Sequence, residues 1–167
     1  KLLAAIAVLA VAFAVFAAVP FADATETAGT VSATEVSTEA ELTAAIGNNE
    51  VSAIKLTDNI ALTYDATKVV TNTDGYKSFR QYAIDRDLSI DLNGKTISLG
   101  DSFQIDNTVQ YSVFVITSGN VSIQNGTIDV SKIVHDGTGK LGDNVKQDVG
   151  EVDAIFVKGG SVSLNVN

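Results

Sequence analysis

An all-β chain wound as a solenoid, with one short helix in front, is the fold this sequence predicts, and three observations predict it. Residues 113–128 (VFVITSGNVSIQNGTI) and 154–165 (AIFVKGGSVSLN) share one pattern, two apolar strands around a small-residue corner. Apolar and polar residues alternate through these strands, as they do in half-buried strands. Like strands recur only after 33 residues, from Ile90 to Ile123, and then after 41, from Ile123 to Leu164. A stack of hairpins would need turns of about two to five residues between pairing strands. Here two corners intervene. Fixed strands with variable spacers imply a repeating coil that lays each strand parallel to its predecessor, with the insertions in one loop position.

The elements follow in order. Lys1 precedes an unbroken apolar run, Leu2 to Val19, then Pro20 and Ala22-Asp23-Ala24. A basic start, an apolar middle and a small-x-small end predict a secretory signal over 1–24, with Ala22 and Ala24 marking the cut. Two readings compete with it. One is an uncleaved membrane anchor, for which 18 apolar residues are just long enough; the other is a pilin-like helix. The rest of the chain is expected to be secreted or displayed at the cell surface, touching the membrane only through this segment if it is uncleaved. Residues 25–36 (TETAGTVSATEV) read as a flexible lead-in. The fold proper is expected over 37–167.

A helix opens it: Thr38 can cap, Glu41 is its capping-box partner, and Gly47 closes the far end. Leu42, Ala45 and Ile46 form its apolar stripe. From Val51 the period becomes two. Ile54, Leu56, Ile60 and Leu62 point one way, as do Leu88, Ile90 and Leu92, then Val121 and Ile123, then Val162 and Leu164. Corners fall at Asn93-Gly94, Asn125-Gly126 and Gly159-Gly160, residue types that accept positive φ. The chain has no Met and stops at Asn167 within a strand pattern, which predicts a segment of a longer reading frame.

Composition narrows the chemistry. The formal charge is −9, and removing 1–24 leaves it unchanged. That disfavours nucleic acid and anionic membranes as partners and leaves cations, neutral glycans and other envelope proteins. Zero Cys excludes disulfides and thiolate chemistry, and a single His excludes most multi-His metal sites.

Aligned by their corners, LSIDLNGKTI (88–97) matches VSIQNGTI (121–128), and VSLNVN (162–167) opens a third copy. VFVITSGN matches AIFVKGGS without a gap, and YAIDRD (82–87) holds the same place one copy earlier. Together with EVSTEAELTAAIGNNEVSAIKLTDNIALT, these stretches resemble the N-terminal part of right-handed parallel β-helix proteins of the pectin-lyase-like superfamily, over roughly residues 35–167. The resemblance implies a helix capping about three coils. It also implies an asparagine ladder beginning at Asn93 and Asn125, whose side-chain amides satisfy the turn backbone and one another.

In that superfamily lyases bind calcium through clustered Asp and Glu and use Arg or Lys as base, and hydrolases use two or three Asp. The best matches here are Asp85, Asp87 and Asp91, expected on one outward face with Arg86 nearby, as a calcium or catalytic cluster. The competing reading is a solvated, charge-decorated strand. No catalytic residue and no resident cofactor is assigned. Residues 131–152, with His135, Asp136, Asp143, Asp148 and Glu151, form the longest insertion and the expected place for a specific function. The ordered ligands of a calcium loop are absent from it. Asn120-Val-Ser fits the glycosylation sequon, and Thr57, Thr63, Thr71, Ser98, Thr117 and Ser122 give a hydroxyl-rich outward face. Tyr64, Tyr76, Tyr82 and Tyr111 read as scattered, which argues against a sugar-stacking platform. A non-enzymatic structural or adhesive envelope role leads these expectations. A polysaccharide lyase or glycoside hydrolase, with its active site mostly beyond this segment, is the alternative.

Overall fold

The structure is a computed structural model that describes residues 32–71, 73, 75, 77–103, 109–132 and 152–166. The segment expected as a signal, 1–24, lies outside the described residues. Apart from one helix and a short 3₁₀ turn, the regular elements are all β.

Strand β1 (Thr34–Val36) comes first. It takes up the end of the stretch expected as a lead-in, because Val36 is buried there and β1 pairs in parallel with β2. Helix α1 (Glu39–Gly47) follows. Thr38 accepts the Glu41 N–H, and the Glu41 carboxylate accepts the Thr38 and Ser37 N–H groups, so the capping box closes. Leu42, Ala45 and Ile46 are its buried face. Gly47 is the last helical residue rather than a left-handed cap. Extended Asn48 takes the cap position and its N–H returns to the Ala45 carbonyl.

The strands then visit three sheets in a fixed cycle. The first round is β2 (Ala53–Leu56), β3 (Ile60–Leu62) and β5 (Lys77–Ile84). The second is β6 (Leu88–Asp91), β7 (Thr96–Leu99) and β8 (Val109–Ile116). In the third, β9 (Asn120–Asp129) serves two sheets in succession, followed by β10 (Val152–Val157), and β11 (Ser161–Val166) returns to the first sheet.

Every return is parallel and in register, apart from a one-residue shift at Val166 of β11. Ile54 pairs with Ile90, Ile90 with Ile123, and Ile123 with Leu164. In the third sheet Tyr82 pairs with Phe114 and Ile84 with Ile116, and Ile116 pairs with Val157. The sequence alignment across the corners is therefore the register of the sheets. The exception is β4 (Val69–Thr71), which lies antiparallel on β5.

One hydrogen bond repeats at the ends of these strands. The N–H of Thr57, of Thr117 and of Lys158 each reaches a carbonyl one round earlier: Val36, Ile84 and Ile116, all at 2.8 Å. Ile54, Leu56, Ile60, Leu62, Ile84, Ile90, Ile97, Ile116 and Ile123 fill the interior at 0–2% exposure. No single round could bury that face alone, so the apolar column exists only through the stacking.

Candidate functional site

The insertions fall in one place. The chain between β3 and β5 (63–76), between β7 and β8 (100–108) and between β9 and β10 (130–151) joins the second sheet to the third each time. All three connections therefore fall at the same point of the cycle, as the spacing implied. Residues 133–151, with His135, Asp136, Asp143, Asp148 and Glu151, lie outside the described residues.

What roots the first two loops is aromatic. Tyr64 from the first loop and Phe103 from the second pack with Phe79 of β5 and Tyr111 of β8, ring centroids 5.2–5.8 Å apart. Phe79 and Tyr111 are register partners. Edge-to-face and offset contacts of this kind contribute roughly 0.5–1.5 kcal/mol per pair beyond burial. Tyr64 and Tyr111 are thus part of one interior cluster rather than scattered. The signal was available, since Phe79 and Tyr111 hold equivalent positions of the repeat. Tyr82, buried against Phe114, belongs to the core, and Tyr76 lies outside the described residues. Phe79, Phe103 and Tyr111 are buried and Tyr64 is half-buried, so the cluster anchors the two loops.

Polar contacts finish the loop roots. Asp65 accepts the Thr67 hydroxyl at 2.6 Å and the Thr67 N–H at 2.9 Å, which holds its carboxyl below the usual range. Lys132 donates to the Gly100 carbonyl at 2.7 Å and to Asp101 at 3.0 Å, tying the start of the third loop to the second.

The three aspartates expected as a cluster do not converge. Asp85 is exposed, and its backbone carbonyl accepts the Ser118 hydroxyl. Asp87 accepts the Asn120 N–H at 2.7 Å and its side-chain amide at 3.3 Å. Asp91 accepts the Asn93 N–H at 2.9 Å and the Asn125 amide at 3.1 Å. Each serves its own corner. Among the described residues no group of three or more His, Cys, Asp or Glu side chains is placed to hold a metal ion.

Arg86 has a role that strand alternation did not reveal. Its guanidinium reaches back to α1 and donates to the carbonyls of Ala45 (3.3 Å), Ile46 (3.0 Å) and Asn48 (3.0 Å), and to that of Val51. These carbonyls lie at and just beyond the helix C-terminus, where a cation is favoured. At the other end of α1, Glu39 accepts from Thr63 N–H (3.1 Å), Thr63 hydroxyl (2.8 Å) and the Gln81 amide (2.7 Å). Two charged side chains fasten the helix over the first round.

The corners form polar ladders between rounds. The Asn93 amide donates to the Leu56 carbonyl at 3.0 Å, and the Asn125 amide reaches Asp91. Both asparagines have positive φ, 51° and 62°. The rung between them is therefore Asn to Asp, where asparagine to asparagine was expected. Asn120 donates its amide to Asp87, and its Oδ1 accepts the Ser161 hydroxyl at 2.6 Å. The nitrogen that a glycan would take is engaged in that ladder. Gly94 and Gly160 have positive φ, but Gly126 and Gly159 do not. At Gly126 the reason for glycine is space, since a Cβ would overlap Leu92 and the Lys95 carbonyl.

No curated protein and no solved structure matches the chain. A family model described as "Putative pectate lyase-like adhesive domain" matches residues 33–146, more than half of the chain. The chain belongs to this family of pectate lyase-like adhesive domains.

Proposed function

We propose that the chain is the N-terminal part of a right-handed parallel β-helix in an exported envelope protein, and that it works as an adhesive scaffold without catalysing a reaction. The observation that supports this reading is that all three insertions connect the same two sheets of an in-register stack, the first two rooted by an aromatic cluster. A rigid repeat displaying variable loops at one point of its cycle suits recognition of a protein or a glycan. The apolar leader Leu2 to Val19 with Ala22 and Ala24 supports export, and the family supports adhesion.

The lyase or hydrolase reading gains no support from the described residues. Arg86 is spent on helix carbonyls, and Asp87 and Asp91 are each spent on a corner. Beads carrying the chain should be retained under flow on surfaces coated with a glycan such as polygalacturonate, or with envelope protein. No unsaturated uronides should be released into the medium. Release of uronides with turnover would replace the adhesive reading by the enzymatic one. Failure to adhere to any coated surface would remove it.

A further inference from the structure

The first insertion is tied to helix α1 as well as to the strands. Glu39 opens α1, and its carboxylate accepts the Thr63 N–H at 3.1 Å and the Thr63 hydroxyl at 2.8 Å, just where the chain leaves β3. The same carboxylate accepts the Gln81 amide of β5 at 2.7 Å. One acidic group therefore joins the cap, the loop and the third sheet. Further along the loop, Asp65 caps the short 3₁₀ turn Ala66–Lys68. Lys68 at the end of that turn donates to the Gln81 carbonyl at 3.1 Å, and its ammonium lies 5.3 Å from the centre of the Tyr82 ring. Tyr82 is buried, with its hydroxyl beside Thr43 of α1. The loop thus returns to Gln81 and Tyr82, the two neighbours on β5 that also meet the helix. The second insertion is tied elsewhere. Its Gly100 and Asp101 accept from Lys132 of the third, and among the described residues its hydrogen bonds do not reach α1.

We infer that the first insertion and helix α1 form one conformational unit, so that the state of the displayed loop sets how firmly the cap is held. Hydrogen bonds to a charged group are the strong ones, and Thr63 supplies two of the three described donors to Glu39. A loop that lets go takes both away. It also withdraws the Lys68 ammonium from the face of Tyr82, beside the helix. The capping box is local to the helix, so α1 stays helical while its docking loosens. Docking then rests on Leu42, Ala45 and Ile46, and on Arg86 at the far end. Coupling of this kind is reciprocal. A partner that grips the loop tightens the cap, and a firm cap orders the loop in advance. The coupling holds for any partner of the loop and does not depend on the adhesive reading.

The test is amide exchange of the full chain, with a substitution placed in the loop and its effect read in the helix. Asp65 is exposed, and among the described residues its hydrogen bonds are to Thr67 alone, so Asp65→Ala loosens the 3₁₀ turn without touching α1. Exchange at Leu42, Ala45 and Ile46 should accelerate about threefold or more, together with Lys68 and Val69, while Val121 and Ile123 stay unchanged. Asp65→Asn keeps an acceptor for Thr67 and should restore most of the protection. Asp101→Ala cuts the tie between the second and third insertions and should leave α1 unchanged. In the reverse direction, Arg86→Lys at the far end of the helix should accelerate exchange at Lys68 and Val69. Acceleration confined to the loop in Asp65→Ala would overturn the inference, as would equal acceleration of α1 by Asp101→Ala or a loop indifferent to Arg86→Lys. If Asp65→Ala fails to fold, Arg86→Lys read in the loop decides the matter.

Discussion

The first two rounds and the last are written in the same pattern but end in different states. Ile90 and Leu164 occupy one column of the first sheet, two rounds apart, and differ from 0% to 51% in exposure. The sequence around each is the same alternation. What differs is the layer on top, and the lesson is that burial here belongs to the stack rather than to the residue. The helix end makes the same point from the other side: α1 supplies the cover that no neighbouring round gives, and charged side chains hold it down.

Truncations at the two ends of that column sharpen the contrast most. Ile90→Ala should cost about 2–5 kcal/mol, the range for emptying a packed site. Leu164→Ala, at a half-exposed position, should cost well under about 1 kcal/mol in the monomer. Urea unfolding of the two variants at low protein concentration measures the gap. Equal losses would mean that the last round is as well packed as the first two.

The helix cover is tested at Arg86. Arg86→Leu removes the guanidinium from the Ala45, Ile46, Asn48 and Val51 carbonyls, of which Ala45 and Asn48 keep a backbone donor, and should cost roughly 2–4 kcal/mol, given about 1–3 kcal/mol for leaving a partly buried acceptor unpaired. Arg86→Lys keeps the charge but loses the fork, so it should recover only part of the loss. Amide exchange should show α1 loosening before the strands do.

Corner glycines give a smaller contrast. At Gly119, φ is +83° and a Cβ would overlap the Arg86–Asp87 backbone of the round below. Gly119→Ala should cost about 2–4 kcal/mol by combining overpacking with left-handed strain. Gly94→Ala meets open space at φ +73° and should cost about 1–2 kcal/mol. Thermal melts of the pair separate crowding from conformation.

Acidification should have the smallest effect. Hydrogen bonds from the Ser37 N–H and hydroxyl hold Glu41 below the usual carboxylate range, and Ser131 does the same for Asp129. A folded-state pKa below the unfolded one contributes stability that is complete above the unfolded value and is lost as pH falls through the folded value. Stability should therefore be level from neutrality to about pH 5 and decline below about pH 4. Ser37→Ala should flatten part of that decline. Both carboxylates are exposed, so the change will be modest.

Much of this was legible in the sequence because the repeat is literal. The ungapped match of VFVITSGN to AIFVKGGS is the pairing of β8 with β10 and their shared corner. The capping box at Thr38 and Glu41 was equally plain, since it depends on residues three apart. Arg86 was not legible. Its partners lie 35–41 residues away and are backbone carbonyls, which leave no mark on side-chain patterns. The loop-root cluster was missed because Tyr64 and Phe103 lie in irregular segments where periodicity gives no facing. The aspartates misled for a related reason: alternation assigns a face, but it does not reveal that a corner already uses the carboxylate.

The central claim is that each round lies parallel and in register on the one before. A chain without cysteine allows a direct measurement. Neighbouring parallel strands are about 4.8 Å apart, within the separation that a disulfide spans. Ser122→Cys with Ser163→Cys joins register partners on β9 and β11. Ser122→Cys with Asn165→Cys sets the second thiol two residues out of register on the same strand. The account predicts that mild oxidation closes the first pair within the monomer and leaves the second open. Closure of the second pair in preference to the first, or of neither, would contradict it.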